Sequence, residues 1–263
     1  MNNFPDETVD YWRAFSFETL ASTAATLHRD RRAYEARIGY HEVMGARQLV
    51  SNAFITGVGI EVGAGNRPFP VPEGVKVLYG DIRDGQSLEV HFADKKVSFD
   101  DEIDAETFAA IPLESIDFII SAHVIEHLYN PFGSIREGLR RLKANGVYVI
   151  VVPDMQYTTD RNRKATTFEH LIDDMKDGGK STLLQSYLEH CEHVHPLSQE
   201  AFSSDELIKA AQSGMENRVD IHVHTWTKDS FKDHLSRLSK AFGFEIVFSS
   251  NIQNEAVFVL RKP

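Results

Sequence analysis

Between residues 54 and 153 the sequence alternates short apolar runs with turn residues, and that alternation constrains the fold more than any other feature. Residues 58–62 form an apolar run that ends in Gly63-Ala64-Gly65. Residues 75–79 alternate and end in Gly80-Asp81, and residues 116–121 form a third run. Residues 147–152 read VYVIVV, β-branched and nearly all apolar, as expected of a strand buried on both faces. Between the last two, residues 131–143 place Ile135, Leu139 and Leu142 at helical spacing, with Arg136, Arg140, Arg141 and Lys143 elsewhere. Strands separated by helical segments predict a parallel α/β sheet.

The flanks differ. Residues 1–53 predict an N-terminal helical cap, with Phe17, Leu20, Ala24, Leu27, Ala33, Tyr34 and Ile38 recurring at helical spacing. Gly39 and Gly45 predict a division into two helices. Residues 155–225 are polar and rich in His, Asp and Lys. They still carry Leu171, Ile172, Met175, Leu183, Leu184 and Leu188, which need burial, so they predict a mostly helical insertion. Residues 227–242 predict a helix with Phe231, Leu235, Leu238 and Phe242 on one face. Residues 244–248 and 256–260 then predict a terminal antiparallel hairpin. The core is thus expected over 54–154 and 226–263.

Charge narrows the partners. With 39 acidic against 28 basic residues the net charge is −11, which repels phosphate backbones and anionic lipid heads, so nucleic acid is not expected. No apolar run is long enough to span a membrane. The single cysteine, Cys191, excludes an internal disulfide and suits a reducing compartment. The acidic opening lacks the apolar region of a secretory signal, so the expected location is cytoplasmic.

Three features at predicted strand ends suggest a ligand. Gly63 and Gly65 allow close backbone approach, and Glu61 lies just before them. The third glycine of a dinucleotide fingerprint is replaced by Pro68, and Pro68, Pro70 and Pro72 disfavour the helix whose N-terminus would hold a pyrophosphate. A ligand without phosphates suits this loop, and a dehydrogenase is disfavoured. Asp81, twenty residues after Glu61, can accept both hydroxyls of a ribose. Asp104-Ala105, before the third run, can pair with an adenine through a carboxylate and a backbone N–H. In order, these residues would line the carboxyl edge of one sheet.

The stretch IDFIISAHVIEHL, residues 116–128, resembles the fourth strand and following turn of class I S-adenosylmethionine-dependent methyltransferases. Asn130-Pro131, the arginine-bearing helix, the Lys143–Gly146 turn and the strand ending in Asp154 are similar to that family's next elements. The terminal hairpin resembles its reversed sixth and seventh strands. The resemblance implies a doubly wound, Rossmann-like α/β sheet of seven strands, the last hairpin antiparallel, with a loop replacing the usual first helix. It implies S-adenosylmethionine as cofactor and S-adenosylhomocysteine as product. Gly63, Ala64 and Gly65 would back the methionine part, with Glu61 beneath its amino group. Asp81 would take the ribose, Asp104 and Ala105 the adenine, and Ser121 and His123 would line the cofactor after strand four.

Methyl transfer to an alcohol needs a base to remove a proton. The insertion offers Asp154 and, in a dense polar stretch after it, Asp160, Arg161, Asn162, Arg163 and His170, then His190, His193, His195, His222 and His224. His170, His222, His224 and Asp154 are the candidates for proton transfer, while His127 is expected to be structural. His190-x-x-His193, with Glu189 and Glu192, has metal-ligand spacing, and His222-x-His224 would share one strand face. Capping or surface roles are commoner for such histidines, so a bound metal is possible but not favoured. The expected function is O-methylation of a small polar acceptor such as a sugar or polysaccharide precursor. The alternatives are N-methylation of a small amine or amino sugar, and a non-catalytic cofactor-binding partner subunit. The sequence leaves room for a homodimer.

Overall fold

The computed structural model describes residues 16–194 and 203–263, without the side chains of many residues between 17 and 38. The chain divides into two compact units, residues 1–45 and 46–263. Helix α1 (Phe17–Phe54) begins in the first and ends in the second. The expected break at Gly39 and Gly45 is absent and α1 is continuous over 38 residues. A glycine costs a helix only about 1 kcal/mol relative to alanine, too little to interrupt so long an element. The burial expected of Phe17, Leu20, Ala24, Leu27, Ala33, Tyr34 and Ile38 lies outside the described side chains, and His195 lies outside the described residues.

Residues 46–263 form a seven-stranded sheet of β1 (Val58–Val62), β2 (Lys76–Asp81), β3 (Asp101–Glu102), β4 (Ile116–Ala122), β5 (Leu142–Pro153), β6 (Glu245–Ile252) and β7 (Glu255–Arg261). The order is β3-β2-β1-β4-β5-β7-β6. The first five strands are parallel, and β7 runs antiparallel between β5 and β6. This is the doubly wound sheet and reversed hairpin expected from the sequence.

Strand β5 shows why the VYVIVV run was legible. Tyr148, Ile150 and Val152 point to one core and Val147, Val149 and Val151 to the other, so every residue is buried. The first core is covered by α3 (Pro131–Arg141) through Phe132, Ile135 and Leu139, and by α7 (Lys228–Phe242) through Phe231, Leu235 and Leu238. The second core is closed by Val50 at the end of α1 and by Phe69 in the loop after β1. That loop replaces a helix, as the prolines predict. α3 starts at Pro131, with Asn130 accepting from the Gly133 N–H, and α7 starts at a reciprocal cap between Thr227 and Ser230. Each such cap contributes about 1 kcal/mol.

One expected feature is altered. The Lys143–Gly146 turn is a kink inside β5, which already pairs with β4 at Leu142. The register shifts before Val147, and Asn145 takes a left-handed φ of 64°. Asparagine tolerates that conformation, so the strand resumes without a full turn.

Among the described residues the sequence between β5 and α7 is mostly helical, as predicted. Short 3₁₀ turns at Met155–Tyr157 and Thr159–Asn162 precede α4 (Phe168–Asp177), α5 (Leu183–His193) and α6 (Ser204–Glu216). A further helix, α2 (Gly85–Phe92), follows β2.

Candidate active site

The turns at the carboxyl ends of β1, β2 and β4 meet where the strand order reverses, the place where open α/β sheets bind ligands. Gly63 and Gly65 have φ of 70° and 54°. A Cβ on Gly63 would strike the Val124 side chain, and one on Gly65 would strike the Phe92 ring. Both positions therefore favour glycine for backbone angle, and the Val124 side chain adds a limit of space at Gly63. Ala64 between them is buried, and its carbonyl accepts from the Arg67 N–H at 3.1 Å.

Glu61 is 1% exposed. Its two carboxylate oxygens accept from the Phe69 N–H at 2.9 and 3.0 Å, which ties down the helix-replacing loop. Burial pushes its pKa up to about 7, against the pull of that hydrogen bond and of Arg47. Asp81 is also buried, and its Oδ1 accepts from the Arg83 N–H at 2.9 Å. Asp104 faces its own turn, accepting from the Glu106 N–H at 2.8 Å and from Thr107 Oγ1 at 3.1 Å. The Ala105 carbonyl accepts from Ser134 Oγ at 2.6 Å, which joins that turn to α3. Ser121 is fully buried beside the Tyr148 hydroxyl, within the core that α3 covers.

After β4 the chain reverses at His123, a non-glycine residue with φ of 57°. Its N–H donates to the Val151 carbonyl at 2.9 Å. Its ring lies between two acids, with Nδ1 3.3 Å from Glu126 Oε1 and Nε2 2.9 Å from Glu255 Oε1. Burial disfavours the imidazolium, but Glu126 and Glu255 outweigh it and raise the pKa to about 9. Glu255 in turn pairs with Arg47 from α1 at 2.6 Å, both side chains buried. His127 Nδ1 is 2.8 Å from Asp220 Oδ1. The hydrogen bond from His127 is the main cause holding Asp220 down at about 2.

The polar stretch after β5 supplies a dyad. His222 Nδ1 lies 2.6 Å from Asp160 Oδ2, and Arg163 Nη1 lies 3.1 Å from Asp160 Oδ1. Asp160 and Arg163 are buried, whereas His222 is half-buried and packs its ring edge-on to His127 at 4.9 Å. Burial alone would raise Asp160, but His222 and Arg163 hold it below the usual carboxylate range. Arg163 also donates to the carbonyls of His222 and Val223, fixing the backbone that carries the imidazole.

Two expectations need correction. His222 and His224 do not share a face, because their segment is not a regular strand. Its backbone is bonded to residues 163–166 and to the Glu126 carbonyl. His222 turns to Asp160, while His224 turns to His170 and Asp174 and stacks on Trp226 with centroids 5.8 Å apart. Asp154 is a joint between elements. Its carboxylate accepts from the N–H groups of Gln156 and Lys228 and from Asn251 Nδ2. His190 and His193 belong to neither group of possible metal ligands found among the described residues.

Sequence reasoning passed over Arg47, Asp174 and Glu255. Asp174 had a signal, since it stands four residues after His170 on one helix face. Arg47 and Glu255 are 208 positions apart and had none.

Residues 62–150 match the family model described as a methyltransferase domain, about a third of the chain. No curated protein matches the sequence. Among solved structures, one from Thermotoga maritima, titled a SAM-dependent methyltransferase and possible histamine N-methyltransferase, is 16% identical. That alignment covers 89% of this chain and 97% of the other at a TM-score of 0.48. SAM-dependent methyltransferases from Aquifex aeolicus (12% identity, 81% and 86% covered, TM-score 0.43) and Methanosarcina mazei (14%, 81% and 96%, 0.44) also align. With TM-scores below 0.5, these likenesses add nothing to the family match.

Proposed function

We propose that the chain is a class I, S-adenosylmethionine-dependent methyltransferase that methylates a hydroxyl oxygen of a small polar acceptor such as a sugar, with His222 as the base, a reading supported by the methyltransferase-domain match. The residues at the sheet edge suit the cofactor. The turn of Gly63 and Gly65 is one that side chains would fill, and buried Asp81 closes β2 where a ribose acceptor is needed. In this reading Glu61 lies under the amino-acid part, Asp104 and Ala105 serve the adenine, and His123 lines the turn after β4. When bound, S-adenosylmethionine supplies an electrophilic methyl group on a sulfonium.

The observation that carries the proposal is the 2.6 Å contact between His222 Nδ1 and Asp160 Oδ2. Asp160, held ionised, accepts from Nδ1–H and so fixes the tautomer in which Nε2 carries a lone pair. Nε2 can then take the acceptor's proton, and Asp160 stabilises the imidazolium that forms, the division of labour known from histidine–aspartate pairs. The polar surroundings of the dyad, with His127, Asp220 and Arg163, favour an acceptor with several hydroxyls over an apolar one. A second reading, N-methylation of a small amine, is favoured by the buried Glu126 carboxylate. Its Oε1 pairs with the His123 ring at 3.3 Å, while its Oε2 makes no hydrogen bond and could hold an ammonium.

The test is His222→Gln, assayed by S-adenosylhomocysteine release on matched panels of sugars and amines. The expected result is unchanged cofactor affinity with turnover lowered by about a hundredfold or more. Unchanged turnover, or loss of cofactor binding, would remove His222 from this role. Turnover of amines alone would select the second reading.

A further inference from the structure

We propose that His170, Asp174 and His224 hold a divalent transition-metal ion of the zinc class, which locks α4 to the segment carrying His222. The three residues come from two places. His170 and Asp174 stand one helical turn apart on α4, and His224 arrives from the irregular segment before α7. Their ligand atoms all lie within 4.8 Å of one another. Asp174 Oδ2 is 3.5 Å from His170 Nε2 and 3.7 Å from His224 Nε2. These separations are too long for hydrogen bonds. They are close to what four-coordinate zinc requires, since ligands at about 2.0–2.1 Å from a tetrahedral centre stand about 3.4 Å apart.

The state of these atoms is the independent observation. The ligand atoms His170 Nε2, Asp174 Oδ2 and His224 Nε2 form no hydrogen bond, although Asp174 is 0% and His224 1% exposed. Buried polar atoms are rarely left so. One cation satisfies an oxygen and two imidazoles together. The supports around the cluster also suit a metal centre. Thr182 Oγ1 donates to the other oxygen of Asp174, and Trp226 stacks on His224. Two imidazoles and one carboxylate suit zinc and neighbouring divalent ions, with a fourth position left for water beside the more exposed His170.

The other group of possible ligands, Glu126, His127 and His222, is the weaker candidate. Its carboxylate is already engaged, since Glu126 Oε1 faces the His123 ring at 3.3 Å. The metal proposal does not depend on the acceptor or on methyl transfer, because its test reads binding.

The whole chain is stripped with a chelator and titrated with Zn²⁺ alone, followed by calorimetry and thermal melting, with Co²⁺ as a spectroscopic probe. The expected result is one ion per chain, a higher melting temperature, and the visible bands of four-coordinate cobalt. His170→Gln, at the most exposed ligand and thus the variant least apt to disturb folding, should weaken Zn²⁺ binding at least about tenfold. Asp174→Asn should do so more severely, and His193→Gln should bind as the unaltered protein does. The proposal is overturned by absence of stoichiometric binding in the unaltered protein. It is equally overturned by binding that survives His170→Gln unchanged, or that is abolished instead by His127→Gln.

Discussion

His123 sits between two acids, and its neighbours give it a measurable signature. Its pKa in the folded chain is about 9, above the ordinary 6.5, because Glu126 and Glu255 favour the imidazolium more than burial opposes it. A raised folded pKa contributes stability that is fully present below about 6.5 and lost as the pH climbs through about 9. Denaturant midpoints should therefore fall between pH 6.5 and 9, and His123→Gln should flatten that fall. An unchanged slope in the variant would mean that the ring is not held by the two acids. Glu61 works in the opposite sense for the apo protein. Its raised pKa of about 7 means that the folded state resists ionising it, so Glu61→Gln should raise the melting temperature at pH 8. Because Gln keeps an acceptor for the Phe69 N–H but loses the charge, the same variant should bind S-adenosylhomocysteine more weakly. A variant that is no more stable, or that binds equally well, would contradict the placement of Glu61 under the amino group.

At the level of elements, the strands and helices were readable where one face or both must be apolar. The VYVIVV strand, α3, α7 and the terminal hairpin follow directly from periodicity. The single α1 was not readable, because a glycine's local penalty is small beside the cooperativity of a long helix. Two-residue β3 and eight-residue α2 are too short to leave a period. The site divided in the same way. Gly63, Gly65 and Asp81 announce themselves by position at strand ends, whereas the pairing of Asp160 with His222 spans 62 residues and depends on how the insertion folds back. The Arg47–Glu255 pair is the same kind of long-range feature, and it ties the last turns of α1 to β7. Arg47→Met would leave Glu255 buried with only His123 as a partner. It should cost about 3 kcal/mol in urea denaturation, the low end for breaking a buried pair. A midpoint shift within error would make the pair incidental.

At the scale of the molecule, one sheet carries two kinds of work on the same edge. In the proposed reading the ends of β1, β2 and β4 face a nucleoside-bearing cofactor, and the insertion after β5 folds back to set His222 and Asp160 beside His127 of the β4 turn. A parallel sheet positions the first set by register alone, with Glu61 level with Ile120 and Val62 with Ser121. The insertion needs its own fastenings, which Arg163 provides through its bonds to Asp160 and to the backbone of residues 222 and 223. In the proposed reading, separate construction of the two halves lets a common cofactor platform serve an acceptor that the sheet itself does not specify.

The most direct measurement is calorimetric titration of the unaltered chain and of Asp81→Ala with S-adenosylhomocysteine, with NAD as the comparison. We expect tight one-to-one binding of S-adenosylhomocysteine, no comparable heat from NAD, and affinity lowered more than about tenfold in the variant, since hydrogen bonds to a charged group are each worth about 1.5–3 kcal/mol. Equal binding by Asp81→Ala, or a preference for NAD, would contradict the convergence of the strand-edge turns on this cofactor.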